Sequence, residues 1–98
     1  LLDFLAGRDD LRVLGHPGIG NDGRRVPTVA LDTKKAAKAV AESLASHGVM
    51  AGAGDFYAMR TIGAMGCNTD AGVLRLSFVH YTNDAEVEKL MTALDTAL

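Results

Sequence analysis

Apolar and polar positions alternate most cleanly over residues 72–94. Leu74, Leu76 and Phe78 interleave with Val73, Arg75 and Ser77, the period of two that gives a strand two different faces. One face is greasy; the other carries an arginine beside a serine. After a short turn the period lengthens. Val87, Leu90, Met91, Leu94 and Leu98 follow at steps of three, one, three and four, a single stripe on a helix. Asn83 is placed to cap that helix, with Glu86 three residues on to close a capping box.

The same reading runs back to the start. Leu2, Phe4 and Leu5 predict the end of a helix stopped by Gly7, and residues 11–14 predict a short strand. His16 to Gly23 is rich in turn residues. Its Gly18, Gly20 and Gly23 have the spacing of a dinucleotide fingerprint, but such a fingerprint opens a helix directly after a strand. Here it runs into residues 24–31, which read as another strand, with Pro27 near the beginning where no central ladder donor is lost. A hairpin loop is the better reading. Residues 34–47 are rich in good helix formers, with Ala37, Val40, Ala41 and Leu44 inward, Asp32 and Thr33 available as caps, and Gly48 then Val49 at the C-terminal stop. Lys34 and Lys35 stand at the wrong end of that helix for its dipole. Residues 49–51 predict a short strand broken by the glycines that follow. Residues 56–65 predict a short helix with Phe56, Met59 and Ile62 or Gly63 on one face. Residues 66–70 predict a loop, and Gly72 opens the last strand.

The expected order is helix end, strand, strand, helix, strand, short helix, strand, helix. That order predicts an α+β two-layer sandwich, a small mixed or antiparallel sheet with helices on one face. The 98 residues are enough for one domain with a single two-layer core. A net charge of −2 gives no electrostatic footprint for nucleic acid. No apolar run approaches the roughly 20 residues of a membrane span. The first residues, Leu1 to Leu5, lack a basic n-region, so a signal peptide is not expected. A lone cysteine, Cys67, cannot form an internal disulfide, which fits a reducing, cytoplasmic setting.

Candidate chemistry is sparse. Arg75, on a central strand and facing with Ser77, needs a partner or water. A planar guanidinium suits a bidentate grip on a carboxylate; an internal salt bridge or an exposed strand charge is the plainer alternative. Phe56 and Tyr57 read equally well as local core aromatics, with the Tyr57 hydroxyl wet. His16, His47 and His80 have no metal-ligand spacing. Lys34, Lys35, Lys38 and Lys89 fall on solvated helix faces, not in a desolvated setting suited to a Schiff base.

The chain resembles the end of class V aminotransferases and cysteine desulfurases, enzymes dependent on pyridoxal phosphate (PLP). The residues that carry the resemblance are Arg25-Val26-Pro27-Thr28, Gly54-Asp55-Phe56-Tyr57-Ala58, Arg75-Leu76-Ser77, His80-Tyr81-Thr82-Asn83 and Glu86-Val87-Glu88 with Leu90. The order Thr-Asn is reversed relative to the family pattern, and Ala85 replaces its first acid. The resemblance implies that the chain, residues 1–98, is a small C-terminal domain whose PLP-binding large domain lies elsewhere in a longer protein. It implies that Arg75 grips the α-carboxylate of an amino-acid substrate. It places Tyr57 where the desulfurases carry their nucleophilic cysteine, with Cys67 ten residues away in a different context. A domain parted from its large partner exposes an apolar seam, so the isolated piece is expected to be inactive, to hold no PLP, and to form homodimers or larger assemblies. The rival expectation is a free-standing α+β module that binds a small ligand or a partner protein.

Overall fold

The computed structural model describes residues 1–16 and 25–98. The loop that holds Gly18, Gly20 and Gly23 lies outside them. The described elements are α1 (Leu2–Ala6), β1 (Leu11–Leu14), β2 (Thr28–Thr33), α2 (Ala37–Ser46), β3 (Gly52–Gly54), α3 (Met59–Ala64), β4 (Val73–Ser77) and α4 (Asp84–Ala97). The strands form one sheet in the order β1-β2-β4-β3. Every pairing is antiparallel, so of the two sheet types expected the antiparallel one is formed.

The pleat sorts the side chains. Leu74 lies opposite Leu31, and Leu76 opposite Val29. These four are buried with Leu5, Val40, Leu44, Leu90 and Leu94 in the main core beneath α1, α2 and α4. Val73 points to the other face, where it forms a small second cluster with Ile62 of α3 and Cys67. The three longer or terminal helices therefore share one layer, and the single turn-and-a-half of α3 covers one corner of the reverse face. No helix among the described residues is long and apolar enough to cross a membrane.

Several boundaries follow the expected physics. The α4 capping box is complete: Glu86 N donates to Asn83 Oδ1, and Asn83 N donates to Glu86 Oε2, both at 3.0 Å. Gly48, at φ +70°, closes α2 in a Schellman motif. Its N–H donates to Ala45 O at 2.9 Å, and Val49 N–H donates to Leu44 O at 3.0 Å while the Val49 side chain meets the core. Gly72, at φ +66°, sits so near Gly54 that an added Cβ would lie 2.9 Å from the Gly54 Cα, so only glycine lets β4 start there.

Other boundaries shift. Asp32 and Thr33 do not cap α2; they extend β2, and the helix starts at Ala37 with no side-chain cap. The long-range pairing of β2 with β1 competes for those two residues and wins, through Leu11 opposite Thr33 and Arg12 opposite Asp32. The misplaced lysines are resolved at the same stroke. Lys34 and Lys35 precede the helix, and Lys35 Nζ donates to Ala97 O at 2.8 Å, a cation at the carbonyl end of α4. The short strand falls on Gly52–Gly54 rather than on residues 49–51, and Met50 is exposed. The short helix begins only at Met59, because Phe56 and Tyr57 adopt a left-handed backbone. Met59 is exposed, and Ile62 alone of the expected face is buried.

Candidate functional site

Arg75 lies on β4, one strand in from the sheet edge formed by β3. Its neighbours across the ladders are Ala30 on β2 and Gly52 on β3. Both are small, so the reverse face of the sheet is open around the guanidinium, and Arg75 is exposed. Its next neighbours on that face are Ser77 and Thr28, a polar pair opposite each other. Among the described residues no carboxylate pairs with Arg75 and no carbonyl accepts from it. The contact it does make is with the Phe56 ring, whose centroid lies 4.2 Å from the Arg75 Cζ, within cation–π range.

The loop after β3 builds that contact. Gly52 has no side chain, and a Cβ there would stand 3.0 Å from the Phe56 Cζ and 3.8 Å from the Arg75 Nε. The ring therefore lies over the glycine and beside the guanidinium. Reaching that position forces Phe56 and Tyr57 to φ +50° and +59°, a region that L residues with side chains adopt at a cost. Asp55 holds the turn: its Oδ1 accepts from Tyr57 N at 2.9 Å and its carbonyl accepts from Ala58 N at 2.8 Å. Tyr57, by contrast, projects fully into solvent. Its ring makes no contact with Arg75, and the reading of Tyr57 as a core aromatic is overturned. Phe56 is half-buried beside the second cluster.

Cys67 belongs to a separate arrangement. It is buried against Ile62 and Val73, and burial pushes its thiol pKa up. Arg12 Nη2 donates to Asp32 Oδ2 at 3.0 Å, to Met65 O at 2.8 Å and to the Cys67 Sγ at 3.4 Å. The guanidinium pulls the thiol toward ionisation, but less than burial opposes it. Such a thiol is a poor nucleophile. The histidines stay apart: His47 Nδ1 lies 2.8 Å from Ser43 O at the end of α2, and His80 meets Tyr81 edge-on at 5.1 Å beyond β4. No cluster of three or more potential metal ligands exists among the described residues. In the Arg-x-Pro-Thr segment, Arg25 Nη1 donates to His16 O, and Pro27 stands just before β2, with its carbonyl accepting from Phe78 N at 2.8 Å.

Sequence reasoning singled out Arg75 but not its setting. Nothing in the alternation of β4 tells that Ala30 and Gly52 flank it, since those lie on other strands. The glycines at 52 and 54 were the available signal.

No family model matches the chain. It is 30% identical over 103 residues to the aminotransferase-like protein FGM3 of Gibberella zeae, an alignment that spans 100% of this chain and 25% of that relative. The cysteine desulfurase CsdA of Escherichia coli, in a crystal structure of its S-sulfonic acid form, superposes with a TM-score of 0.73 at 25% identity, over 97% of this chain and 22% of that one. The chain is thus similar, along nearly its whole length, to the C-terminal domain of class V aminotransferase-like enzymes, the cysteine desulfurases among them. It spans about a quarter of the length of the curated relative it matches.

Proposed function

We propose that the chain is the small C-terminal domain of a longer PLP-dependent, class V aminotransferase-like enzyme of the cytoplasm, and that Arg75 receives the α-carboxylate of its amino-acid substrate. The observation that carries this reading is the state of the guanidinium. It sits on the open face of a strand, with its Cζ 4.2 Å from the centroid of an aromatic ring, and is engaged by no acid among the described residues. A cation so placed keeps its in-plane N–H donors for a carboxylate, which a planar guanidinium meets with two parallel hydrogen bonds. Tyr57, on the same loop and wholly exposed, faces outward toward whatever closes the site and contacts the substrate from the loop side.

The cofactor does not fit the residues of this chain. PLP requires a lysine amine, a phosphate cradle and an acid at its pyridine nitrogen. All four lysines are exposed, and Lys35 and Lys89 are engaged with the carbonyls of Ala97 and Gly48. The remainder of the longer protein supplies these groups, and this domain orients the substrate toward them. The buried, unionised setting of Cys67 argues for Cα chemistry without a thiolate contributed by this domain.

The test is substitution of Arg75 in the full-length enzyme. R75K keeps the charge but loses the fork, and it is expected to raise KM for the amino-acid substrate by about tenfold to a hundredfold, the worth of one or two charge-assisted hydrogen bonds. An unchanged KM refutes the assignment.

A further inference from the structure

The geometry points to Phe56 as the positioning residue for this carboxylate grip: its ring, seated over Gly52, fixes the plane of the Arg75 guanidinium while leaving every N–H donor unspent. The inference rests on the reading of Arg75 given above and adds to it the device that holds the arginine ready.

Two other described arginines are held by acids: Arg8, between α1 and β1, with Asp10 and Asp95 at 2.6 Å, and Arg12 on β1 with Asp32 at 3.0 Å. An acid orients a guanidinium by occupying the same in-plane donors that an incoming carboxylate needs, and its negative charge repels the carboxylate as well. A ring beneath the Cζ at 4.2 Å carries no charge and accepts no in-plane hydrogen bond. It restricts rotation of the long side chain, whose freedom otherwise has to be lost when the ligand binds, and its negative π-face favours the cation.

Three features of the chain serve that contact. The position across from Arg75 is Gly52, and a Cβ there would come within 3.0 Å and 3.2 Å of two atoms of the Phe56 ring. The backbone accepts a left-handed conformation at two successive non-glycine residues, Phe56 and Tyr57, so that the ring turns back over the sheet. Asp55 ties the turn through its carboxylate and its carbonyl. The short hook from Gly52 to Tyr57 is thus shaped by the need to lay one ring on the sheet beside one guanidinium.

The experiment measures binding of each proteinogenic L-amino acid, and of its carboxamide, to the full-length protein by calorimetric titration. Four variants are compared with the unmodified protein: F56L, F56Y, G52A and R75K. Leucine keeps an apolar side chain against Ile62 and Val73 but removes the flat face. F56L is expected to weaken binding of the preferred amino acid roughly twofold to tenfold, the cost of immobilising one long side chain on binding, and to leave its carboxamide unaffected. F56Y restores binding. G52A retains both partners but drives the ring off its seat, so it behaves like F56L. Full affinity in F56L and G52A, alongside a loss in R75K, overturns the role of Phe56 and leaves that of Arg75 standing. Full affinity in R75K, or no amino-acid binding by the unmodified protein, overturns both. Equal losses for the acid and the carboxamide in F56L mean a damaged fold and overturn the positioning role.

Discussion

At the scale of single residues, some cations hold the fold through acids, and Arg75 instead meets a ring. Arg8 bridges the end of α1 to Asp10 and to Asp95 of α4, each at 2.6 Å, with its own side chain largely covered. The hydrogen bonds from Arg8, ahead of the burial that opposes them, hold the Asp10 carboxyl below the ordinary carboxylate range. Because the native state binds its proton less readily than the unfolded chain does, the contribution of Asp10 to stability is present above the ordinary carboxylate value of about 4 and is lost as pH falls through its lowered native value. Denaturant unfolding followed across the acid range is therefore expected to show a loss of stability that D10N diminishes. An identical acid profile in D10N removes the ion pair from any part in stability. Arg75 shows the opposite design, since no acid among the described residues holds it and its contact is a ring. The sequence singles out Arg75 but says nothing of Arg8, because Asp95 lies eighty-seven positions from Arg8 and the pairing is made by what folding brings near.

At the scale of elements, local signals hold where a few adjacent residues close their own hydrogen bonds. The capping box of α4 needs only Asn83 and Glu86, three residues apart, and the Schellman turn of α2 needs only the stretch from Leu44 to Val49. Both were legible. N83A is expected to cost ~1 kcal/mol, seen as a fall in melting temperature of about 4–8 °C for a domain of this size; no shift would show that α4 is held by its packed face alone. Signals fail where a neighbouring strand competes. Asp32 and Thr33 have the composition of a cap, yet β1 draws them into its ladder, and Asp32 gains Arg12 as a partner. The β3 strand was displaced for a similar reason. Gly52 and Gly54 have poor strand propensity, but pairing with Arg75 and Val73 of β4 leaves room for the Phe56 ring and for the close approach of Gly72.

At the scale of the whole molecule, exposed apolar side chains are spread over several edges. Val26, Met50, Tyr57, Met59, Val79 and Tyr81 are each at least half exposed, although the main core beneath the sheet is closed. With the chain spanning about a quarter of the relative it matches, we propose that the rest of a longer protein and a second copy cover part of this surface. Two outcomes are expected for the isolated 98 residues. Sedimentation velocity shows concentration-dependent association, and a clean monomer at high concentration counts against the covered surface. Mixed with PLP, the isolated chain gives no aldimine-type absorbance that a single lysine substitution abolishes, and it turns over no amino acid; such a band would place the cofactor in this domain after all.

The sequence by itself determined the strand of Leu74 and Leu76, the stripe and cap of α4, the glycine stop of α2 and the α+β order, because alternation, helical period and capping are set by residues within a turn or two of each other. Tertiary structure decided that the sheet is antiparallel throughout, that β2 outbids the cap of α2, and that the ring of Phe56 rather than an acid lies against Arg75. The last of these depends on which small residues, Ala30 and Gly52, are carried beside the arginine from distant parts of the chain. Register between strands is a property of the folded sheet, and no single stretch of sequence contains it.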